Sequence, residues 1–199
     1  MNQKTTSNQT MMSFFNSKIG LVFFVTFLRI PVAIAFALTI AYVKQTWSVI
    51  GLEVIFLGLI ELTDFSDGFL ARKWGVVTEG GALFDPFADS ASRLIVFWSL
   101  AYTGHALALV PLVMALRDII VAYSRILMAS RQVSVRAKLS GKIKAVVQAV
   151  VSFLLVLGPL FPIYQEFHLM AVISWIVIIA TSLSAVEYVM SGIQALKRN

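Results

Sequence analysis

Apolar residues recur along the chain in runs of about twenty, the length that carries an α-helix across a bilayer core. Paced off, these runs predict spans near residues 19–43, 47–71, 87–104, 107–130, 142–161 and 168–191. Short polar separators divide them: Lys44–Thr46, Arg72–Asp85, Gly104–His105, Arg131–Gly141 and a loop carrying Pro159 and Pro162. The pattern predicts an all-α integral membrane protein of six transmembrane helices, with one domain over 19–199 and no internal repeat. Residues 1–18 are polar and rich in Thr, Asn and Gln, and read as a loose tail ending in a short interfacial segment at Phe14 and Phe15. No small-residue cleavage site follows the first apolar run, which argues against a cleaved signal peptide.

Composition agrees with the spans. Of 199 residues, 59% are hydrophobic and only 13% charged, against about 25% charged in soluble domains. A water-soluble globule of this size cannot hide so much apolar surface, which excludes small soluble enzymes, disordered chains and nucleic-acid-binding modules. The absence of cysteine excludes disulfides, thiolate metal sites and cysteine nucleophiles. The net charge of +6 matters through its distribution. Lys4, Lys18, Arg72, Lys73, the basic run from Arg131 to Lys144, Lys197 and Arg198 fall on one side of the predicted spans, and only Lys44 on the other. The positive-inside rule then places both termini in the cytoplasm.

Ionised groups inside a membrane helix are costly and mark functional sites. Four aspartates are bunched here: Asp64 and Asp67 end the second span, and Asp85 and Asp89 open the third. Spacings of three and four put each pair on one helix face. The two spans are antiparallel neighbours, so the pairs can face each other just inside the cytoplasmic interface. Four close carboxylates repel in a medium of reduced dielectric. Protonation relieves this, and divalent cations relieve it better, since oxygen-only ligands suit Mg²⁺, Mn²⁺ or Ca²⁺. Gly68, Ala71, Gly80, Gly81, Ala82 and Ala88 leave room for a ligand near the helix backbone.

The run Asp64-x2-Asp67-Gly68-x2-Ala71-Arg72-x8-Gly81-x3-Asp85-x3-Asp89 resembles the complete signature of the CDP-alcohol phosphotransferases. That family has a core of six transmembrane helices with cytoplasmic termini, and it displaces CMP from a CDP-linked lipid by an alcohol hydroxyl. The resemblance implies that Asp64, Asp67 and Asp85 anchor two divalent cations (Mg²⁺ or Mn²⁺), with Asp89 at their edge as ligand and general base. It implies that Gly68, Ala71 and Gly81 lie against the cytidine and ribose, with Asp64 also on the liponucleotide side. Arg72 is implied to reach the diphosphate as a bidentate donor; read alone, it is also a positive-inside anchor. Homodimers are a further implication of the resemblance.

A second cluster is cationic. Arg117 and Arg125 lie about two turns apart in the fourth span, and Lys142 and Lys144 open the fifth. Arginines within a span need an anion, and together these groups can form a pocket for a phosphate on the incoming alcohol. The lysines alone can equally snorkel to the interface, and Arg117 can pair with Asp118, although adjacent helical residues do not normally face each other. From Leu116-Arg117-Asp118 through Arg125 to Gly141-Lys142-Ile143-Lys144-Ala145 and Gln148, the chain is similar to the phosphatidylglycerophosphate synthase branch of the family. In that branch the positions of Arg117, Arg125 and Lys142 hold the phosphate of sn-glycerol 3-phosphate, and CDP-diacylglycerol is the donor. The chain departs from the branch at Asp118 (usually Glu), Ala145 (usually Thr) and Ser90 (usually Lys), and lacks the usual Pro-Asn pair before the first span.

Arg29 is expected either to pair with Glu61 or to reach the site mouth, and Arg93 to pair with a carboxylate. His105 and His168 are read as interfacial. Phosphatidylinositol-phosphate synthase and cardiolipin synthase of the same fold are the nearest rival readings. An ion-coupled membrane transporter is the rival of another class, and it has no use for a nucleotide-shaped glycine pattern.

Overall fold

A computed structural model describes the backbone of residues 3–75, 79–131, 139–166 and 168–197, and the side chains of 20–66, 73–75, 84–131, 141–164 and 168–194. The described residues form helices α1 (Gln3–Tyr42), α2 (Trp47–Trp74), α3 (Glu79–Tyr102), α4 (Leu109–Ser130), α5 (Leu139–Leu157), α6 (Pro162–Glu166) and α7 (Leu169–Lys197). A 3₁₀ turn, Gly158–Leu160, joins α5 to α6. Each predicted span therefore lies largely on one long helix.

Three details differ from the sequence expectation. The backbone is helical from Gln3, where a loose tail was expected, because neither Gly nor Pro interrupts the stretch before Gly20. The third helix begins at Glu79 rather than near 87, so most of the Arg72–Asp85 separator is helical and Pro86 lies within α3. The loop at Pro159 and Pro162 is itself a 3₁₀ turn followed by the short helix α6, with each proline near a helical start, where its missing N–H costs nothing.

Among the described residues, three helices are long and apolar enough to cross a membrane: Gly20–Tyr42, Gly141–Leu160 and Leu169–Gln194. The other three long helices carry most of the site's charged residues: Glu61 and Asp64 on α2, Asp85, Asp89 and Arg93 on α3, and Arg117, Asp118 and Arg125 on α4. The protein is an integral membrane protein turned outward, with Phe24, Trp47, Tyr123 and Leu183 among many exposed apolar side chains. Its interior, by contrast, holds Arg29, Glu53, Arg93, Lys144 and Gln148 besides an apolar core of Phe36, Leu57, Phe97, Leu100, Leu155 and Val177. Buried hydroxyls are accommodated by bonding the preceding turn, as Thr63 Oγ1 donates to Leu59 O at 2.9 Å and Ser152 Oγ to Ala149 O at 2.7 Å.

Two groups of three helices result. In one, α1 packs on α2 and α3; in the other, α7 packs on α4 and α5. Contacts of α3 with α4, and of α5 with α2 and α3, join the two groups. Glycine closes the α3 end: Gly104 has φ +78°, a left-handed conformation that a Cβ disfavours. There Gly104 N donates to Ala101 O at 3.1 Å and His105 N to Leu100 O at 2.7 Å, satisfying terminal carbonyls.

Candidate active site

The carboxylates gather where the two groups of helices meet, and two buried arginines organise them. Arg29, fully buried on α1, donates from Nη1 to Asp64 Oδ1 at 2.7 Å and sets Nη2 3.6 Å from Asp85 Oδ1. Arg93, nearly buried on α3, donates from Nε to Asp89 Oδ1 at 2.7 Å and straddles Glu61 at 2.9 and 3.1 Å. Its Nη2 also lies 3.9 Å from Asp64 Oδ2. Asp64, Asp85 and Asp89 thus converge from α2 and α3, as their spacing predicts, though through arginines rather than directly. The side chain of Asp67, with those of Gly68, Ala71, Arg72 and Gly81, lies outside the described residues.

The guanidinium groups are buried while the carboxylates are more open: side-chain exposure is 0% for Arg29 and 6% for Arg93, against 37% for Asp64 and 52% for Asp85. The acids therefore line an accessible mouth backed by fixed positive charge. Among the described residues no three carboxylates stand at metal-ligand spacing, because guanidinium groups lie between them. The donor set still fits a hard cation. It is oxygen-only, and Glu61, Asp64, Asp85 and Asp89 outweigh the two arginines in charge.

The sequence left Arg29 with two destinations; the fold sends it to Asp64 and Asp85, and gives Glu61 to Arg93. Glu61, which the sequence offered only as a possible partner of Arg29, belongs to the site through Arg93. Its signal was spacing, since it precedes Asp64 by three residues and shares that helix face.

The cationic residues sit in the neighbouring α4–α5–α7 group. Arg117 Nη1 donates to Asp118 Oδ1 at 2.7 Å, and Nη2 to Ser184 Oγ at 3.1 Å. The pairing of adjacent residues, kept open in the sequence as the alternative to a substrate anion, is present, because the long arginine side chain can reach its neighbour. Arg125, two turns along, donates from Nε to Tyr188 OH at 3.3 Å and lies over the Tyr188 ring, 5.7 Å from its centroid. Both arginines therefore rest on α7, whose Ser184 and Tyr188 repeat at a spacing of four and were not anticipated as partners.

The two lysines part company. Lys144 is buried, with Nζ 3.8 Å from Asp118 Oδ1, whereas Lys142 is exposed. One turn beyond Lys144, buried Gln148 donates from Nε2 to Thr181 Oγ1 at 3.1 Å. His105 stands apart, in the α3–α4 connection, with Nδ1 2.9 Å from Thr103 Oγ1. Burial pushes its imidazole below the ordinary histidine value.

The profile of the family described as CDP-alcohol phosphatidyltransferase matches residues 21–186. Among curated relatives, the CDP-diacylglycerol--glycerol-3-phosphate 3-phosphatidyltransferase of Escherichia coli (strain K12) is 33% identical over 123 residues, which cover 60% of this chain and 67% of that protein. The proteins of the same name from Shigella flexneri serotype 5b (strain 8401) and Shigella sonnei (strain Ss046) match equally, at 33% over 123 residues, 60% of this chain and 67% of each relative. The match runs through α1 to α7 and takes in both clusters of charged residues. The chain belongs to the CDP-alcohol phosphatidyltransferase family.

Proposed function

We propose that the protein transfers the phosphatidyl group of CDP-diacylglycerol to sn-glycerol 3-phosphate, giving phosphatidylglycerol phosphate and CMP. The observation that carries this reading is the position of the two clusters. An open array of Asp64, Asp85 and Asp89 adjoins the Arg117–Asp118–Lys144 group, and Arg93 reaches across to Ala145 O at 3.4 Å. A phosphorylated acceptor needs both, one cluster for the reacting hydroxyl and the other for the phosphate it carries.

In this reading Asp64, Asp67, Asp85 and Asp89 hold two divalent cations, Mg²⁺ or Mn²⁺. When bound, these neutralise charge on the pyrophosphate oxygens during transfer. Asp89 takes the proton of the acceptor hydroxyl. The new bond joins that oxygen to the phosphatidyl phosphorus as the bond to the CMP oxygen breaks, so CMP leaves with the electron pair. Gly68, Ala71 and Gly81 admit the cytidine and ribose, Asp64 and Arg72 engage the liponucleotide, and Arg117, Arg125 and the inward-turned Lys144, in place of the exposed Lys142, receive the acceptor's phosphate. Positioning and charge neutralisation supply most of the rate in such chemistry. The chain crosses the bacterial inner membrane six times with both termini and the active site on the cytoplasmic side, and works as a homodimer.

The test is CMP release from CDP-diacylglycerol by detergent-purified protein with Mg²⁺ or Mn²⁺. Glycerol 3-phosphate, inositol phosphate and phosphatidylglycerol are offered separately as acceptors. Release with glycerol 3-phosphate is expected. Release with inositol phosphate alone would move the protein to another branch, and none with any acceptor, in folded protein, would end the enzymatic reading.

A further inference from the structure

We infer that Glu61 and Arg93 form a clamp that positions Asp89, the proposed base, making Arg93 a positioning residue and Glu61 its anchor. The inference rests on the proposed role of Asp89 and concerns two residues outside the aspartate signature.

Arg93 uses its whole fork. Nε donates to Asp89 Oδ1 at 2.7 Å; Nη1 and Nη2 take the two oxygens of Glu61 at 2.9 and 3.1 Å. Nη1 also meets Ala145 O at 3.4 Å, and Nη2 turns toward Asp64 Oδ2 at 3.9 Å. A planar guanidinium held at both ends cannot rotate without breaking several charge-assisted bonds at once. Contacts on α2, α3 and α5 fix it, so its Nε fixes Asp89 in turn. Oδ1 is engaged by Arg93, which leaves Oδ2 as the oxygen with no guanidinium on it among the described residues.

The clamp has a second effect. Glu61 is a fifth carboxylate within the site, three residues from Asp64, and it could compete as a ligand. Bidentate pairing with Arg93 occupies both its oxygens and keeps it aside. Conversely, Glu61 holds Arg93 back from Asp64, where a closer guanidinium would oppose cation binding. The chain also carries Ser90 rather than a basic residue directly after Asp89. Arg93, one turn on, is then the cation on the Asp89 face of α3.

Arg93→Gln, Glu61→Gln and the double variant test this in detergent-purified protein, with CMP release and Mn²⁺ binding by electron paramagnetic resonance. Displacing a catalytic group by about 1 Å costs up to about 100-fold. Arg93→Gln should therefore lower kcat at least about tenfold, with both KM values within about threefold. It should also tighten Mn²⁺ at least about threefold, because a positive charge leaves and a carboxylate is released. Glu61→Gln should lower kcat and weaken Mn²⁺, as Arg93 relaxes onto the aspartates. The double variant should be no slower than Arg93→Gln, since both act through one contact. Multiplying losses in the double variant, or an unchanged kcat in folded Arg93→Gln, would overturn the clamp. If Arg93→Gln does not fold, Glu61→Gln, which keeps side-chain volume, decides by the same two readouts. If wild-type protein releases no CMP with glycerol 3-phosphate, the functional reading fails by itself. The Mn²⁺ arm then decides the clamp, and unchanged affinity in both single variants would overturn it.

Discussion

Arg29 Nη1 lies 2.7 Å from Asp64 Oδ1, joining the middle of α1 to the charged end of α2 through a guanidinium with no exposed surface. A buried cation this far inside a membrane protein must be matched by anions, and Asp64 with Asp85 matches it. Removing one partner of a fully buried pair costs about 3–5 kcal/mol. Because Asp64 and Asp85 are partly exposed, Arg29→Gln should cost less, about 1–3 kcal/mol. A lowered thermal midpoint in detergent, with CMP release reduced, is the expected result. An unchanged midpoint would count against Arg29 as the organiser of the array.

Lys142 and Lys144 are separated by about 200° around α5, so only one can face α4. The fold turns Lys144 inward, 3.8 Å from Asp118, and Lys142 outward. Loss of a charged hydrogen bond to substrate costs about 1.5–3 kcal/mol. Lys144→Met should accordingly raise the KM for glycerol 3-phosphate by about 10- to 100-fold and leave that for CDP-diacylglycerol nearly unchanged. Lys142→Met should shift either constant by about twofold or less, as surface substitutions do. Steady-state kinetics with each substrate varied would return the phosphate to Lys142 if the order reversed.

Asp89 and Asp64 should separate when each is replaced by Asn. Asp89→Asn should abolish CMP release and keep most Mn²⁺ binding, whereas Asp64→Asn should lose both. Equal loss of metal in the two variants would make Asp89 chiefly a ligand.

His105 predicts a pH effect on stability. Burial lowers its pKa in the folded protein from the ordinary value of 6.5. Below that value the unfolded chain binds a proton more readily than the folded one, so stability falls as pH falls. The loss levels off once the folded imidazole also titrates. Thermal midpoints between about pH 7 and pH 5 should decline less in His105→Asn than in wild type. Parallel declines would remove His105 from the account.

Gly158 lies under the ring of Tyr164, and a Cβ at this position would collide with the ring's edge. The 3₁₀ turn and α6 close together there, so Gly158→Ala should destabilise by about 1–3 kcal/mol, the usual cost of overpacking. Gly51 and Gly58 meet nothing within 4 Å. Ala at either should be neutral or mildly stabilising, since helical Gly is disfavoured by about 1 kcal/mol. Chemical or thermal unfolding of the three variants tests the contrast.

Much of the site was legible before the fold was known, for a definable reason. Helical periodicity is local, so Asp64 and Asp67, or Asp85 and Asp89, are fixed on a shared face by covalent spacing alone. Arg93 as a partner for a carboxylate followed from the same rule, four residues from Asp89. Pairing across helices was not legible. The destination of Arg29, the bond from Arg117 to Ser184 and the seat of Arg125 on Tyr188 each join residues more than thirty apart. The helical start at Gln3 was obscured because polar residues can continue a helix as readily as end one.

The sequence by itself determined the helical class, the approximate limits of the long helices, the clustering of acids in one stretch and the family those acids indicate. These depend on run length, periodicity and fixed offsets. The tertiary structure alone decided which arginine holds which carboxylate, that Glu61 belongs to the site, and that Lys144 rather than Lys142 turns inward. Those outcomes depend on the rotation and depth of each helix against its neighbours. Packing across the whole bundle sets both, and no local pattern encodes them.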